Sequence, residues 1–269
     1  MRRTIYNQIA AVALCLAATP ALAAGDLLVA PTRVVLHGAR GTEVILNNIG
    51  SETATYRISL ELRRMTTAGQ LDEVSTPSIE EKAALAMIAF APRRVTLPPY
   101  QPQAIRIGIR APQGLPDGEY RAHMLFRAIP DAKVATAPKA PASGISIALT
   151  PIYGVTIPII VRRGQLTATA AIANAKLATL DGHQAVSFDL SRSGTRSVYG
   201  EVRVLKPGNS KPVVLARGVA VYNEIGRRNV TLPVSSDVKT SIAGPATIQY
   251  VELGEDGERT LAEAKVVLR

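Results

Sequence analysis

The sequence predicts an all-β protein built from two β-sandwiches. Three observations carry this. Apolar and polar residues alternate with period two in segment after segment, the mark of strands with one buried face. Turn residues separate those segments at short, regular spacing, as in sandwiches. The pattern also restarts after a hinge-like break, residues 162–165 ("RRGQ"), and no segment sustains a helical period.

The first half reads in order. "LLVAPTRVVLHG" (27–38) alternates imperfectly, and Pro31 implies an edge strand or a break in one. "TEVILNNIG" (42–50) is a strand ending in a polar turn, and "ATYRISLELRRM" (54–65) alternates through Tyr56, Ile58, Leu60 and Leu62. "SIEEKAALAMIAF" (78–90) has the best helix propensity in the chain and predicts a short helical turn or loop entering a strand near Met87. "RRVTLPPYQPQAIRIGIR" holds a strand, a proline-forced turn and another strand. "LPDGEYRAHMLFRAIP" gives a turn at Asp117-Gly118 and a strand to Ile129. The alanine- and proline-rich stretch 130–144, with Lys133 and Lys139, has no apolar period and predicts a flexible loop.

Then comes "GISIALTPIYGVTIPIIV" (144–161). Every odd position, from Ile145, Ile147, Leu149 and Pro151 through Tyr153 to Val161, is apolar, and no charge interrupts it. At ~3.3 Å per residue such a strand reaches about 56 Å, more than one sandwich needs. Its uncharged length is also poorly protected as a sheet edge. Pro151 argues against a fully regular ladder buried in the chain's own sheet. Beyond the hinge, seven segments from "LTATAAIANAKL" to "TLAEAKVVLR" form the second sandwich, closed by a hairpin at "GEDGE".

The N-terminus reads as a secretory leader over residues 1–23. Arg2 and Arg3 precede an apolar run from about Ile9 to Ala18, and Ala21-Leu22-Ala23 supplies the small-x-small cleavage signal. The run is shorter than the roughly 20 residues of a membrane span. Cys15, the single cysteine of the chain, lies in it, so the remaining chain is expected to carry no disulfide and no thiolate chemistry. The net charge of the whole chain is +10. Without Arg2 and Arg3, 29 basic residues face 21 acidic ones, a surplus of +8. That surplus favours acidic partners, but the basic residues do not cluster: Arg106 and Arg110 alternate with Ile105, Ile107 and Ile109 as solvent-facing strand residues. With no tryptophan and three phenylalanines, no stacking platform for nucleic acid is evident.

Catalytic chemistry is nearly absent from the sequence. His37, His123 and His183 lie far apart, with no partner at metal-ligand spacing, and read as surface or turn histidines. There is no nucleophile elbow, phosphate loop or dinucleotide fingerprint, and the Asp-Gly pairs are turns. No enzyme activity, cofactor or metal is expected.

Taken together, the order of "APTRVVLHG", "TEVILNNIGSETATYRISLEL", "PRRVTLPPYQPQAIRIGIR", "LPDGEYRAHMLFRAIP" and the loop with its long strand resembles the periplasmic pilus-assembly chaperones of the chaperone–usher family, over residues 27–163. The resemblance implies two immunoglobulin-like β-sandwich domains set as a boomerang, residues 24–162 and 163–269. It implies a chaperone that lends its last first-domain strand to a pilus subunit lacking one. Backbone hydrogen bonds would supply affinity and alternate side chains would fill the client groove. The implied client-binding residues are Ile145, Ile147, Leu149 and Tyr153, with Val155 to Val161 packing the home core. Arg33 matches the family's first-strand arginine, which grips the client's terminal carboxylate. Counted back from Arg162, the family's second carboxylate-binding position, a lysine, falls on Pro158, so the carboxylate grip, or the client's terminal sequence, must differ here. The implied partners are a pilus subunit and an outer-membrane usher, in the periplasm. An exported structural or adhesive sandwich protein is the alternative. A surface subunit would be expected to carry a donor extension before its first strand, and only Ala24 to Asp26 separate the leader from Leu27.

Overall fold

A computed structural model describes residues 27–38, 40–130, 152–238, 241–254 and 257–269. These residues form eighteen strands and one helix. Strands β1 (Leu27–Ala30), β3 (Thr42–Asn48), β7 (Ile88–Ala91) and β9 (Pro102–Ile109) make one sheet, in the order β1-β3-β9-β7. Facing it is a second sheet ordered β2-β11-β10-β4-β8, built from β2 (Val34–His37), β4 (Ala54–Glu61), β8 (Arg94–Leu97), β10 (Gly118–Ile129) and β11 (Gly154–Arg163). The first sandwich therefore packs a four-stranded sheet against a five-stranded one. It carries a tyrosine corner: Tyr120, at the start of β10, donates its hydroxyl hydrogen to Pro116 O at 2.8 Å.

The alternation read from sequence is what fills the core. Val44 and Leu46 from β3, Tyr56 and Ile58 from β4, Ile105 and Ile107 from β9, and Met124 and Phe126 from β10 are buried in one cluster. Ile157, Ile159 and Val161 of β11 join it, with Val155 packed against it, as expected for the C-terminal half of the long strand. Arg106 on the opposite face of β9 is exposed and pairs with Glu43.

Two segments differ from the sequence expectation. "LLVAPTRVVLHG" is broken at residues 31–33, and its halves join different sheets, β1 as one edge and β2 as another. Residues 79–87 form a true helix, α1 (Ile79–Met87), rather than a turn. Ser78 and Glu81 close a reciprocal capping box at its start, Ser78 N–H donating to Glu81 Oε2 at 2.7 Å. A short hairpin, β5 (Arg63–Met65) with β6 (Leu71–Glu73), leaves the sandwich after β4.

After β11 the chain passes through residues 164–167 into a second sandwich of seven strands. One sheet is β12 (Ala168–Leu180), β13 (His183–Gly194) and β16 (Arg227–Pro233). The other, ordered β15-β14-β17-β18, is β14 (Val198–Leu205), β15 (Val214–Val221), β17 (Gly244–Gly254) and β18 (Gly257–Leu268). Its core is separate and runs from Val186 to Leu268 around Phe188, Leu190, Ile248 and Tyr250. A third, small cluster of Met65, Ile160, Ala220 and Tyr222 joins the two sandwiches. The hairpin reaches across as well: Asn229 N–H donates to Thr67 O at 2.7 Å.

A candidate strand-docking edge at the sandwich junction

β11 is the centre of the candidate site. It pairs antiparallel with β10 along its whole length, from Gly154 opposite Arg127 to Arg163 opposite Gly118. Its other edge pairs in parallel with β2, but only over Ile159 to Arg162. Among the described residues, nothing pairs with Gly154–Pro158 on that edge.

The direction of each backbone group follows from one hydrogen bond. Ala128 N–H donates to Tyr153 O at 2.9 Å, so residue 153 points its polar groups at β10. Backbone groups alternate sides along a strand, so 155, 157, 159 and 161 also face β10. Gly154, Thr156 and Pro158 therefore turn theirs to the open edge. Pro158 lacks an N–H on that edge, where no ladder bond is lost to β10. Its placement explains how a proline fits inside a paired strand.

Side chains tell the same story. Tyr153 has the parity of the core-facing residues, yet it is 54% exposed, and Ile152 is 49% exposed. The strand is already leaving its own sandwich at this point. Ile145, Ile147 and Leu149, like the loop at 131–143, lie outside the described residues.

Arg33 stands where the first strand changes sheets. In the parallel register Val34 is opposite Ile159, which puts Arg33 level with Pro158, at the end of the open edge. Its guanidinium lies over the Tyr199 ring at 4.4 Å and near the Tyr222 ring at 5.8 Å, and Nη1 donates to Tyr222 Oη at 3.4 Å. Burial pushes its pKa below the ordinary value. Among the described residues it makes no salt bridge. The surrounding acids are engaged elsewhere. Glu119 accepts from Arg162 Nε at 2.8 Å and from Ser197 N–H at 3.2 Å. Glu224 accepts two bonds from Arg121 and one from Met65 N–H. Glu252 is held by Arg196 and Arg259. Arg33, Arg162 and Arg196 line a cleft of about 480 Å³ between the sandwiches, with His37 beside them.

Arg33 lies at the sandwich junction and Tyr153 immediately before β11; sequence reasoning singled out neither Tyr199, Tyr222, Glu119 nor Glu224, which also line the junction. His123 also differs from its expectation as a surface or turn residue. It is 1% exposed on β10, opposite Pro158, and neither ring nitrogen has a hydrogen-bond partner. Desolvation, then the nearby Arg121 and Arg63, pushes its pKa down to about 3. Among the described residues no group of His, Cys, Asp and Glu could hold a metal, and no helix is long and apolar enough to cross a membrane.

The site and fold thus define a two-sandwich protein with an uncharged open strand edge at the sandwich junction. No family model matches the chain, and no curated protein matches it in sequence. Among solved structures it is similar to the YadV chaperone, at 12% identity and a TM-score of 0.45, over 90% of this chain and 100% of that one. It is similar to the E. coli chaperone DraB at 14% identity and a TM-score of 0.47, over 91% of this chain and 97% of that one. The Pseudomonas aeruginosa CupB2 chaperone gives 14% identity and a TM-score of 0.46, over 90% and 100%.

Proposed function

We propose that this protein is a periplasmic chaperone that holds an incomplete immunoglobulin-like pilus subunit by adding its own strand to it, then delivers it to an outer-membrane usher. The observation that supports this reading most is the open, uncharged edge of Gly154–Pro158 continuing upstream into an alternating apolar stretch. A client strand laid along that edge would gain backbone hydrogen bonds to Gly154, Thr156 and Pro158 O. Ile145, Ile147, Leu149 and Tyr153 would enter the client's groove. In this reading residues 1–23 are the leader, 24–162 the capture domain and 163–269 the second domain.

Arg33 has a place in the same reading. A client strand running parallel to β11, in line with β2, would end just before Val34. Its terminal carboxylate would arrive at Arg33, a cation that makes no salt bridge among the described residues. This offers a grip without a lysine at position 158.

The test is a photo-crosslinking residue at Thr156, in the chain expressed with its leader in its own host. One small secreted protein, a sandwich sequence short of one strand, is expected to be trapped there, and none at an equivalent label on Arg217. Equal trapping at both positions, or none at Thr156, contradicts the proposal.

A further inference from the structure

The hairpin β5–β6 belongs to the first sandwich but is fastened to the second. We infer that it is a clasp that sets the angle between the two sandwiches, with Gly69 and Arg228 as its latch. The inference needs no client and stands apart from the strand-capture reading.

The apolar cluster shared by the two sandwiches has only four buried residues, and a small interface ordinarily leaves domains free to move. The hairpin adds three fastenings. Met65 N–H donates to Glu224 Oε1 at 2.6 Å, and the Met65 side chain enters that cluster beside Ile160, Ala220 and Tyr222. Thr67 O accepts from Asn229 N–H at 2.7 Å. β16 is the end strand of its sheet, so this bond covers an edge that would otherwise offer that N–H to solvent. Gly69 is the third fastening. Its φ of +86° lies in the left-handed region, and a Cβ there would overlap the Arg228 guanidinium. Arg228 lies on β16 and is held by its own sandwich, Nη1 donating to Ala220 O at 2.9 Å. The hairpin tip is also braced by its own bonds. Thr66 N–H donates to Gln70 O at 2.9 Å, and Gly69 N–H donates to Thr66 O at 2.8 Å. The root is tied to the first sandwich by Arg121 Nη2, which donates to Arg63 O at 2.9 Å. A braced hairpin, tied at its root to one sandwich and at three points to the other, transmits orientation rather than absorbing it.

The experiment reads amide exchange and small-angle scattering of the full mature chain without client. Met65 and Asn229 lie on different sandwiches, yet one clasp releases both, so their N–H groups are expected to show the same protection factor. Gly69→Val, made in the first sandwich, is expected to speed exchange at Asn229 in the second about ten-fold, the worth of one hydrogen bond. Arg228→Ala, made in the second sandwich and leaving the hairpin unstrained, is expected to speed exchange at Met65 in the first. In both variants scattering is expected to show a wider spread of angles between the sandwiches, while the buried Phe126 and Phe188 keep their wild-type exchange. Unequal protection of Met65 and Asn229 in the wild type would mean two independent contacts and no clasp. Faster exchange at both with unchanged scattering would leave the angle to residues 164–167 and the Arg121–Glu224 bridge, and would overturn the inference. If Gly69→Val also loses protection at Phe126 or Phe188, that variant has unfolded, and Arg228→Ala decides alone by the same two readings.

Discussion

β11 and β18 are each the last strand of their sandwich in chain order, and each pairs antiparallel with a long preceding strand; β11 also pairs with β2 over four residues, while β18 ends its sheet. They are built differently. β18 pairs with β17 from Gly257 to Leu268 and carries Glu258, Arg259, Glu263 and Lys265 along its length. Charges of that kind blunt an edge against further pairing. β11 has no charge from Gly154 to Val161, and half its outer edge lies open among the described residues. The last strand in chain order is guarded in one sandwich and half bare in the other. A bare edge of this kind is a liability unless something pairs with it.

The largest expected effect comes from charging the stretch that leads into the bare edge. In Ile147→Asp plus Leu149→Asp, two aliphatic side chains worth roughly 3–6 kcal/mol of burial are lost and replaced by unpaired charges. Client capture should be abolished in a periplasmic pull-down, while circular dichroism and the melting temperature stay as in wild type. Unfolding of the double mutant would instead assign these residues to the home core.

The converse change lies within β11 itself. Ile159 is fully buried in the first core. Ile159→Ala should therefore cost about 2–5 kcal/mol of stability in denaturant unfolding. Tyr153→Ala, six residues earlier with the same parity, should leave stability unchanged and weaken capture only. Equal destabilisation by the two would erase the distinction between the home and offered halves.

Acid should separate the sandwiches. Burial holds His123 neutral in the fold, with its pKa pushed from an ordinary 6.5 down to about 3. The unfolded chain takes up the proton first, so stability is complete above pH 6.5 and falls as pH drops towards 3. At pH 5 the loss is about 2 kcal/mol. Urea unfolding at pH 7 and pH 5 should show it for the first sandwich, and His123→Gln should flatten it. The second sandwich holds no buried histidine among the described residues, so its amide-exchange stability should change less.

Smallest is the effect of Arg33→Ala, about ten-fold in capture, the worth of one charge-assisted contact, with melting unchanged. An unchanged pull-down would reduce Arg33 to a junction residue.

The strands were legible because each needs only a period of two, and the sandwich cores collect those same residues. The helix was harder, since apolar residues in 78–90 fit no single face, although Ser78 and Glu81 carry the capping signal that fixes its start. Pro31 marked the break in the first strand, but local sequence does not say that its two halves join different sheets. Arg33 was visible only through its likeness to a family pattern. Tyr199, Tyr222 and Glu224 were not visible at all, because they lie more than 100 residues from their partners and act through contacts between sandwiches. His123 misled for a different reason. It alternates with the buried residues of β10 between Arg121 and Arg127, yet is itself buried on that strand between Pro158 and Glu61 of the neighbouring strands.

Amide exchange along β11 tests the central claim most directly. In the free protein, Val155, Ile157 and Ile159, whose N–H groups face β10, should be protected, while Gly154 and Thr156 exchange fast. With client bound, Gly154 and Thr156 should become protected and the odd-numbered amides should hardly change. Protection of Gly154 and Thr156 in the free protein, or fast exchange at both with client bound, would contradict strand capture at this edge.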